Sequence, residues 1–385
     1  MTSMYFMTAK DPNYTIKGSR DPLGLQVIWQ SAGRNIIPHL STVSSSIMDF
    51  QIISLAYAYK KELSISDDRT FNSFFLCFEQ LMAYTRFIKD REPGFNGIDK
   101  VRRMMNNEPK EVKIGLKEQL LSNQKAYGIW GKYNRPFREM GFLKNEELMR
   151  CYIEKIKDFP QLTKRVKYIW KNGGDKTSHV NTKEIKSWIK ILDKPSGGLN
   201  KILVYLILND KQDNELLEIF NSNWNVLGTL NGYDLFIRLR EFSGNQNFKQ
   251  FISRIINTEK TISPLNRIFR YLQTKSYWSL EDIKSDELIN LWKDVDVDPS
   301  GFSPELMNLS SLLQSDNVQL VKGLAKRNEK VTARRNAAPW LSFNNTELSI
   351  NHYQGAFYNK EYNPSAHADF NYFFNCYSSL YKQLN

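Results

Sequence analysis

Four carboxylates have the spacing of a calcium-binding loop. They occupy positions one, three, five and twelve of the segment from 294 to 305: Asp294, Asp296, Asp298 and Glu305. Oxygen ligands at this spacing can wrap a Ca²⁺ ion. However, the sixth position is Pro299, where such a loop needs Gly, and the eighth is Gly301, where an apolar residue is usual. The pattern favours a solvated acidic turn before a helix capped by Ser303, with a cation site as the alternative.

A second group of candidate metal ligands lies near the end of the chain: His352, His367, Asp369 and Cys376. This set matches no zinc-binding spacing, so we expect packed or capping side chains. The sequence also lacks a phosphate-binding loop ending in Gly-Lys-Ser/Thr and a Gly-x-Ser-x-Gly nucleophile motif. We therefore expect no metal, no cofactor and no catalytic residues. The alternative is a metal-dependent nuclease that uses Asp294, Asp296 and Glu305.

Positive charge is the main functional signal. The 385 residues include 53 Lys and Arg against 41 Asp and Glu, a formal net charge of +12, and the isoelectric point is about 9.3. Such an excess favours an acidic partner, above all nucleic acid. Basic residues concentrate on candidate helices within 100–138, 164–190 and 322–335. Those expected to contact nucleic acid are Lys100, Arg102, Arg103, Lys125, Lys132, Arg135, Arg138, Lys164, Arg165, Lys167, Lys322, Lys326, Arg327, Arg334 and Arg335.

The segment from 109 to 143 organises part of this charge. Apolar residues at Val112, Leu116 and Leu120 predict one helix over 112–121, and a polar break follows at 122–124. A second apolar stripe from 126 to 140 predicts another helix, which Gly141 can end.

This arrangement resembles the helix-turn-helix core of a winged-helix domain, a family in which the recognition helix often leads through a glycine into the wing. The resemblance implies that Lys125, Lys132, Arg135 and Arg138 face phosphates and base edges in a major groove. Pro136 would kink the second helix. The alternative is an ordinary helical hairpin with a solvated basic face.

Two further basic stretches, 164–171 and 318–335, have helical spacing. Lysine-rich helices with interleaved aromatic residues can follow a phosphate backbone. The alternative in both cases is a solvated face whose aliphatic stems cover apolar surface.

Helical periodicity dominates the chain, with little alternating strand pattern. We expect a mainly α, multi-domain helical protein with a winged-helix-like central module. The predicted domains are an N-terminal helical unit (1–98), a basic helix-turn-helix-like module (99–172) and a C-terminal helical domain (173–385). Residues 172–175 are the linker candidate, and 199–208 fit either a helix or a buried strand.

The sequence predicts a cytoplasmic protein that is not inserted in a membrane. No apolar run reaches the roughly 18–20 residues of a membrane helix, and the first residues do not resemble a signal peptide. The three cysteines, Cys77, Cys151 and Cys376, are far apart, which is typical of reduced thiols.

Several short segments resemble uncharacterised proteins encoded beside bacterial anti-phage systems: Asp21-Pro22-Leu23-Gly24, Trp29, Gly33-Arg34, Pro38 and Phe78-Glu79-Gln80-Leu81. The resemblance covers less than a quarter of the chain, brings no catalytic residues and implies a role connected with DNA.

The predicted function is a non-catalytic nucleic-acid-binding subunit of a bacterial multi-protein assembly, with DNA preferred over RNA and anti-phage defence as the setting. The alternative is a protein-interaction scaffold whose basic faces dock on an acidic partner subunit.

Overall fold

The computed structural model describes residues 21–91, 94–172, 176–344, 346–352 and 361–385. The helices within these residues are α1 (Gln26–Gly33), α2 (Ile47–Glu62), α3 (Asp68–Lys89), α4 (Ile98–Met105), α5 (Gln124–Tyr127), α6 (Ile129–Glu139), α7 (Glu146–Lys157), α8 (Pro160–Lys171), α9 (Thr182–Lys186), α10 (Gly197–Leu208), α11 (Glu215–Leu227), α12 (Gly232–Phe242), α13 (Gln246–Leu272), α14 (Leu280–Ser285), α15 (Glu287–Lys293), α16 (Pro304–Leu313), α17 (Asn317–Ala333) and α18 (Phe374–Leu384). The strands are β1 (Glu111–Ile114), β2 (Ser178–Asn181), β3 (Tyr277–Ser279), β4 (Leu341–Phe343) and β5 (Glu347–Ile350). The prediction of a mainly α protein is confirmed.

The chain divides into two compact units. One comprises residues 37–217 with 373–385, and the other comprises residues 1–36 with 218–372. The first contains 32 Lys and Arg and 22 Asp and Glu, a net charge of +10, so we call it the basic unit. The second contains 21 Lys and Arg and 19 Asp and Glu, a net charge of +2, and is the weakly charged unit. The three predicted domains group the chain differently: here residues 1–36 belong with 218–372, and α18 belongs with residues 37–217.

The core of the basic unit is formed by α2 and α3. Both helices are buried on most sides because apolar residues occupy nearly every face of them. Ser46 and Asp67 cap their N-termini, each accepting a backbone N–H with its side chain. α18 contacts α2, and the Gln383 Oε1 accepts the N–H of Ile47 at 2.9 Å. Residues 199–208, which fitted a helix or a strand, lie in α10.

The predicted helix over 112–121 is wrong, because Glu111–Ile114 forms β1. This strand pairs antiparallel with β2, placing Val112 opposite Val180. Val112 and Ile114 are buried while Lys113 is exposed, the period-two pattern of a strand with one covered face. The first helix that a helix-turn-helix requires is therefore absent from this segment.

The second half of the segment is helical, as predicted, but in two pieces, α5 and α6. Pro136 lies inside α6 without ending it. Gly141 follows the helix with a φ of 76°, so the prediction that this glycine ends the helix is confirmed.

The weakly charged unit is built around α13, a 27-residue helix that α1, α12, α15 and α16 contact. A small antiparallel sheet with the order β3-β5-β4 completes it, and Trp278 lies opposite Leu348 in its buried part. None of the helices described here combines the length and the apolar character needed to cross a membrane.

Candidate nucleic-acid interface

The exposed side of α8 presents a row of lysines in the basic unit. Leu162, Val166 and Ile169 are buried, which fixes the rotation of the helix. The opposite side carries residues spaced at three, four and seven positions, which share one face of a helix: Lys164, Lys167, Tyr168 and Lys171. Pro160 starts the helix at a position where the missing N–H costs nothing.

Lys157, the last residue of α7, joins this row. Together with α8 it lines an open groove of about 600 Å³ whose other walls include Pro160 and Thr163. We call Lys157, Lys164, Lys167, Lys171 and Tyr168 the α8 lysine face. The side chains of all five residues are exposed, and Tyr168 is 52% exposed.

None of these four lysines forms an ion pair with an acid in the part of the chain that the structure describes. Their aliphatic stems lie along the groove while the ammonium groups stay in water. Because no acid neutralises them, the positive potential of the face is available to a partner.

Arg165, predicted to bind nucleic acid, instead supports this face. Its guanidinium holds the Glu184 carboxylate with two hydrogen bonds of 3.1 and 2.6 Å, and it donates to the backbone oxygen of His179 at 3.3 Å. The guanidinium carbon also lies 5.6 Å from the centre of the Tyr168 ring. Arg165 therefore ties α8 to β2 and α9 and contacts the exposed ring.

The predicted basic residues around α4 are held locally. Arg102 pairs with Asp99 at 2.9 Å, and Arg103 donates to the Asp99 backbone oxygen at 3.4 Å. The Lys100 ammonium donates to the backbone oxygen of Gln119. Asp99 offsets the charge of Arg102, whereas the backbone contacts position Lys100 and Arg103 without neutralising them.

The basic residues of α5 and α6 have mixed environments. Arg135 pairs with Glu139 at 2.7 Å, and Arg138 contacts the hydroxyl of Tyr57. Lys132 is half-buried and lines a cavity, and burial lowers the pKa of its ammonium group. Lys125 is exposed on the short helix α5.

Residues on α17 and just after it, in the weakly charged unit, are divided between internal contacts and solvent. Arg327 donates to the backbone oxygen of Leu23 at 2.6 Å and pairs with Glu305 at 2.8 Å. Arg335 pairs with Asp21 at 3.6 Å. Three further basic residues are exposed: Lys322, Lys326 and Arg334. The Lys322 ammonium group lies over the Phe343 ring.

The structure gives no support to a cation site near residue 300. Glu305, which would be the twelfth ligand, is paired with Arg327, and Asp298 accepts the N–H of Ser300 at 2.9 Å. Within the described ranges, no group of three His, Cys, Asp or Glu side chains could hold a metal ion. The His367 Nε2 lies 3.1 Å from the Asp369 Oδ1, and the other oxygen of Asp369 accepts from the Asn266 amide.

Sequence reasoning missed a group of buried charges in the basic unit. Glu79 and Arg86 on α3 are 5% and 6% exposed, and Arg86 pairs with Asp49 of α2 at 2.6 Å. The signal was present, because both residues interrupt the apolar run of α3 seven positions apart and so lie on one buried face. Comparison of the chain with protein-family models, curated proteins and solved structures finds no match.

Proposed function

We propose that this chain is a cytoplasmic, non-catalytic nucleic-acid-binding subunit of a bacterial multi-protein assembly, and that its basic unit makes the contact. The observation that carries the proposal is the α8 lysine face: four exposed lysines that pair with no acid among the described residues, beside an exposed tyrosine. The resemblance to proteins encoded beside anti-phage systems favours DNA over RNA and defence as the setting.

The distribution of charge supports this assignment of roles. The basic unit carries +10 of the net charge of +12, although the two units are of similar length. A field of one sign steers a polyanion toward the unit that produces it. Each ammonium group that meets a phosphate also releases a condensed counterion, which drives binding at low salt.

The geometry of the face suits a phosphate backbone. Lys164 and Lys171 are seven residues apart on one helix, which separates their Cα atoms by about 10 Å along the axis. This distance spans several phosphates of one DNA strand, which rises by about 3.4 Å per nucleotide. Tyr168 between them offers a ring on which an unpaired base can stack.

The test compares two variants with equal changes in charge. The first, K157Q/K164Q/K167Q/K171Q, removes the α8 lysine face. The matched control, K284Q/K322Q/K326Q/K330Q, removes four exposed lysines from the weakly charged unit. Fluorescence anisotropy with a labelled duplex at about 50 mM salt measures the affinity of each. We expect the first variant to bind roughly tenfold or more weakly than wild type and the control to bind like wild type.

Two results would contradict the proposal. Wild-type protein that binds neither duplex nor single-stranded DNA at low salt would end it. Equal losses in the two variants would show that net charge, and not the α8 lysine face, determines binding. Circular dichroism and thermal melting confirm that both variants are folded before their affinities are compared.

The second candidate function is a scaffold that docks on an acidic protein. The observation in its favour is the groove beside Tyr168, whose walls include Pro160, Thr163 and the lysine stems. This function predicts that the protein co-purifies with an acidic subunit, and that K157Q/K164Q/K167Q/K171Q breaks that complex. Absence of DNA binding together with loss of the complex would replace the first candidate by the second.

A further inference from the structure

A cavity of about 280 Å³ lies in the basic unit between α2, α3 and α6. Its inner wall consists of buried side chains, among them Glu79, Arg86 and Tyr133. Its mouth is formed by exposed residues, including Gly94 and Asn96. At about 30 Å³ for each water in the liquid, the space holds roughly nine waters or one small organic molecule.

The two carboxylates in the cavity wall already have partners. The Glu79 Oε1 accepts the N–H of Ile129 at 2.7 Å, and its Oε2 accepts from the Gln124 side chain at 3.0 Å. Asp49 accepts from the Arg86 Nη1 at 2.6 Å. Both carboxylates are therefore held in place by donors of the protein itself.

Two cationic groups in the same wall have hydrogen-bond donors that find no acceptor among the described residues. The Arg86 Nε is buried, and no hydrogen-bond acceptor for it exists among the described residues. Lys132 forms neither an ion pair nor a hydrogen bond with any residue that the structure describes. A buried cationic group without a full set of acceptors is costly, and an anion in the cavity would give both groups a partner of opposite charge.

We propose that this cavity is a binding site for a small organic anion, whose phosphate or carboxylate group lies beside the Arg86 guanidinium and the Lys132 ammonium group. The charge balance agrees with this assignment. Burial raises the pKa of Glu79 to about 7, so a substantial share of this carboxyl is neutral near neutral pH. Asp49 is paired with Arg86, and the partly neutral Glu79 offers the nearby Lys132 less than a full negative charge.

The cavity also offers an apolar surface to the rest of such a ligand. Phe95 lies at its wall with its ring 4.7 Å from the Arg86 guanidinium carbon. Ile52 and Leu120 contribute aliphatic surface. A mixture of apolar wall and a few convergent polar groups is typical of sites for small molecules. The proposed ligand is therefore an anion with a compact carbon skeleton, and the site is separate from the α8 lysine face.

The experiment measures thermal melting of the full-length protein with inorganic phosphate and, separately, with succinate as the two minimal probes. Salt concentration is balanced with chloride. K132M removes the accessible donor, and K186M, at an exposed lysine of α9 outside the cavity and the α8 lysine face, is the matched control with the same loss of charge. Phosphate also stabilises proteins by exclusion from their surface, so the measured quantity is the difference between variants at equal phosphate.

At a probe concentration ten times its Kd, we expect the melting midpoint of wild type and K186M to rise about 3 °C more than that of K132M. K132R, which keeps the charge, should retain most of the shift. Equal shifts in wild type and K132M with both probes would overturn the proposal, as would the absence of any shift in wild type. The DNA affinity of K132M reports on the α8 lysine face and not on the cavity. A failure of the anion-site proposal can therefore be distinguished from a failure of the proposed DNA-binding function.

Discussion

Glu259, a fully buried carboxyl of α13, gives the protein a measurable dependence of stability on pH. One of its oxygens accepts from the Tyr372 hydroxyl at 2.7 Å, and the other accepts from Ser263 and from the N–H of Asp369, both at 2.8 Å. Burial nevertheless outweighs these bonds and raises the pKa of Glu259 to about 8 from its ordinary 4.5.

The direction of the effect follows from proton binding. Between pH 4.5 and about 8 the folded protein keeps a proton on Glu259 that the unfolded chain has released. The contribution of Glu259 to stability is therefore present at low pH, falls as the pH rises through this window, and is level above it. At about 1.4 kcal/mol for each unit of pKa, the full loss is on the order of 3–5 kcal/mol.

The substitution Glu259→Gln tests this reasoning. A glutamine resembles the protonated carboxyl: its oxygen can keep the bonds from Ser263 and Asp369, and its amide can donate to Tyr372, whose hydroxyl accepts as well as donates. We expect similar unfolding free energies for wild type and E259Q near pH 5, and a more stable variant near pH 8. Urea denaturation at several pH values measures the unfolding free energy of both proteins. The other titrating groups are the same in both, so their contributions cancel in the difference.

Parallel curves of unfolding free energy against pH for wild type and E259Q would refute the argument. The same would hold if E259Q were the less stable protein at pH 8, because the carboxylate would then be the form that the fold prefers.

Two further predictions concern the basic unit. Tyr168→Ala should weaken binding of single-stranded DNA by roughly 1–3 kcal/mol and change duplex affinity little, because only unpaired bases stack on a ring. Fluorescence anisotropy with single-stranded and duplex DNA measures the two affinities. Equal losses for both ligands would contradict the prediction. Gly128→Ala should cost roughly 1–3 kcal/mol of stability, because a Cβ there would lie 2.4 Å from the Gln124 backbone oxygen and 2.5 Å from the Glu79 Oε1. Its control, Gly198→Ala, has open space around the Cβ and should not destabilise the protein in the same denaturation assay.

The parts of the fold that sequence predicted are those set by local periodicity. The basic helix within 164–171 has an apolar stripe at helical spacing, a signal that does not depend on distant parts of the chain. For this reason α8 could be predicted. Residues 112–121 contain apolar positions that fit a helix and a strand equally. Residues 111–114 form a strand because they pair with β2, which lies more than 60 residues further along the chain.

The candidate sites divide in the same way. Lys164 and Lys167 could be chosen from sequence because their exposure follows from the helical face. Arg327 and Arg335 could not be excluded, because the groups that bind them, Leu23 and Asp21, lie about 300 residues away in sequence. The anion-site cavity depends likewise on contacts between α2, α3 and α6, which no local pattern reveals.

The salt dependence of DNA binding tests the central claim most directly. Each lysine–phosphate contact contributes about 0.9 to the slope of log K against log salt concentration for duplex DNA. If all four lysines of the α8 lysine face contact phosphates, K157Q/K164Q/K167Q/K171Q should reduce the magnitude of that slope by about 3.6 relative to wild type. K284Q/K322Q/K326Q/K330Q should leave it unchanged. Parallel lines for wild type and the α8 variant would contradict the claim.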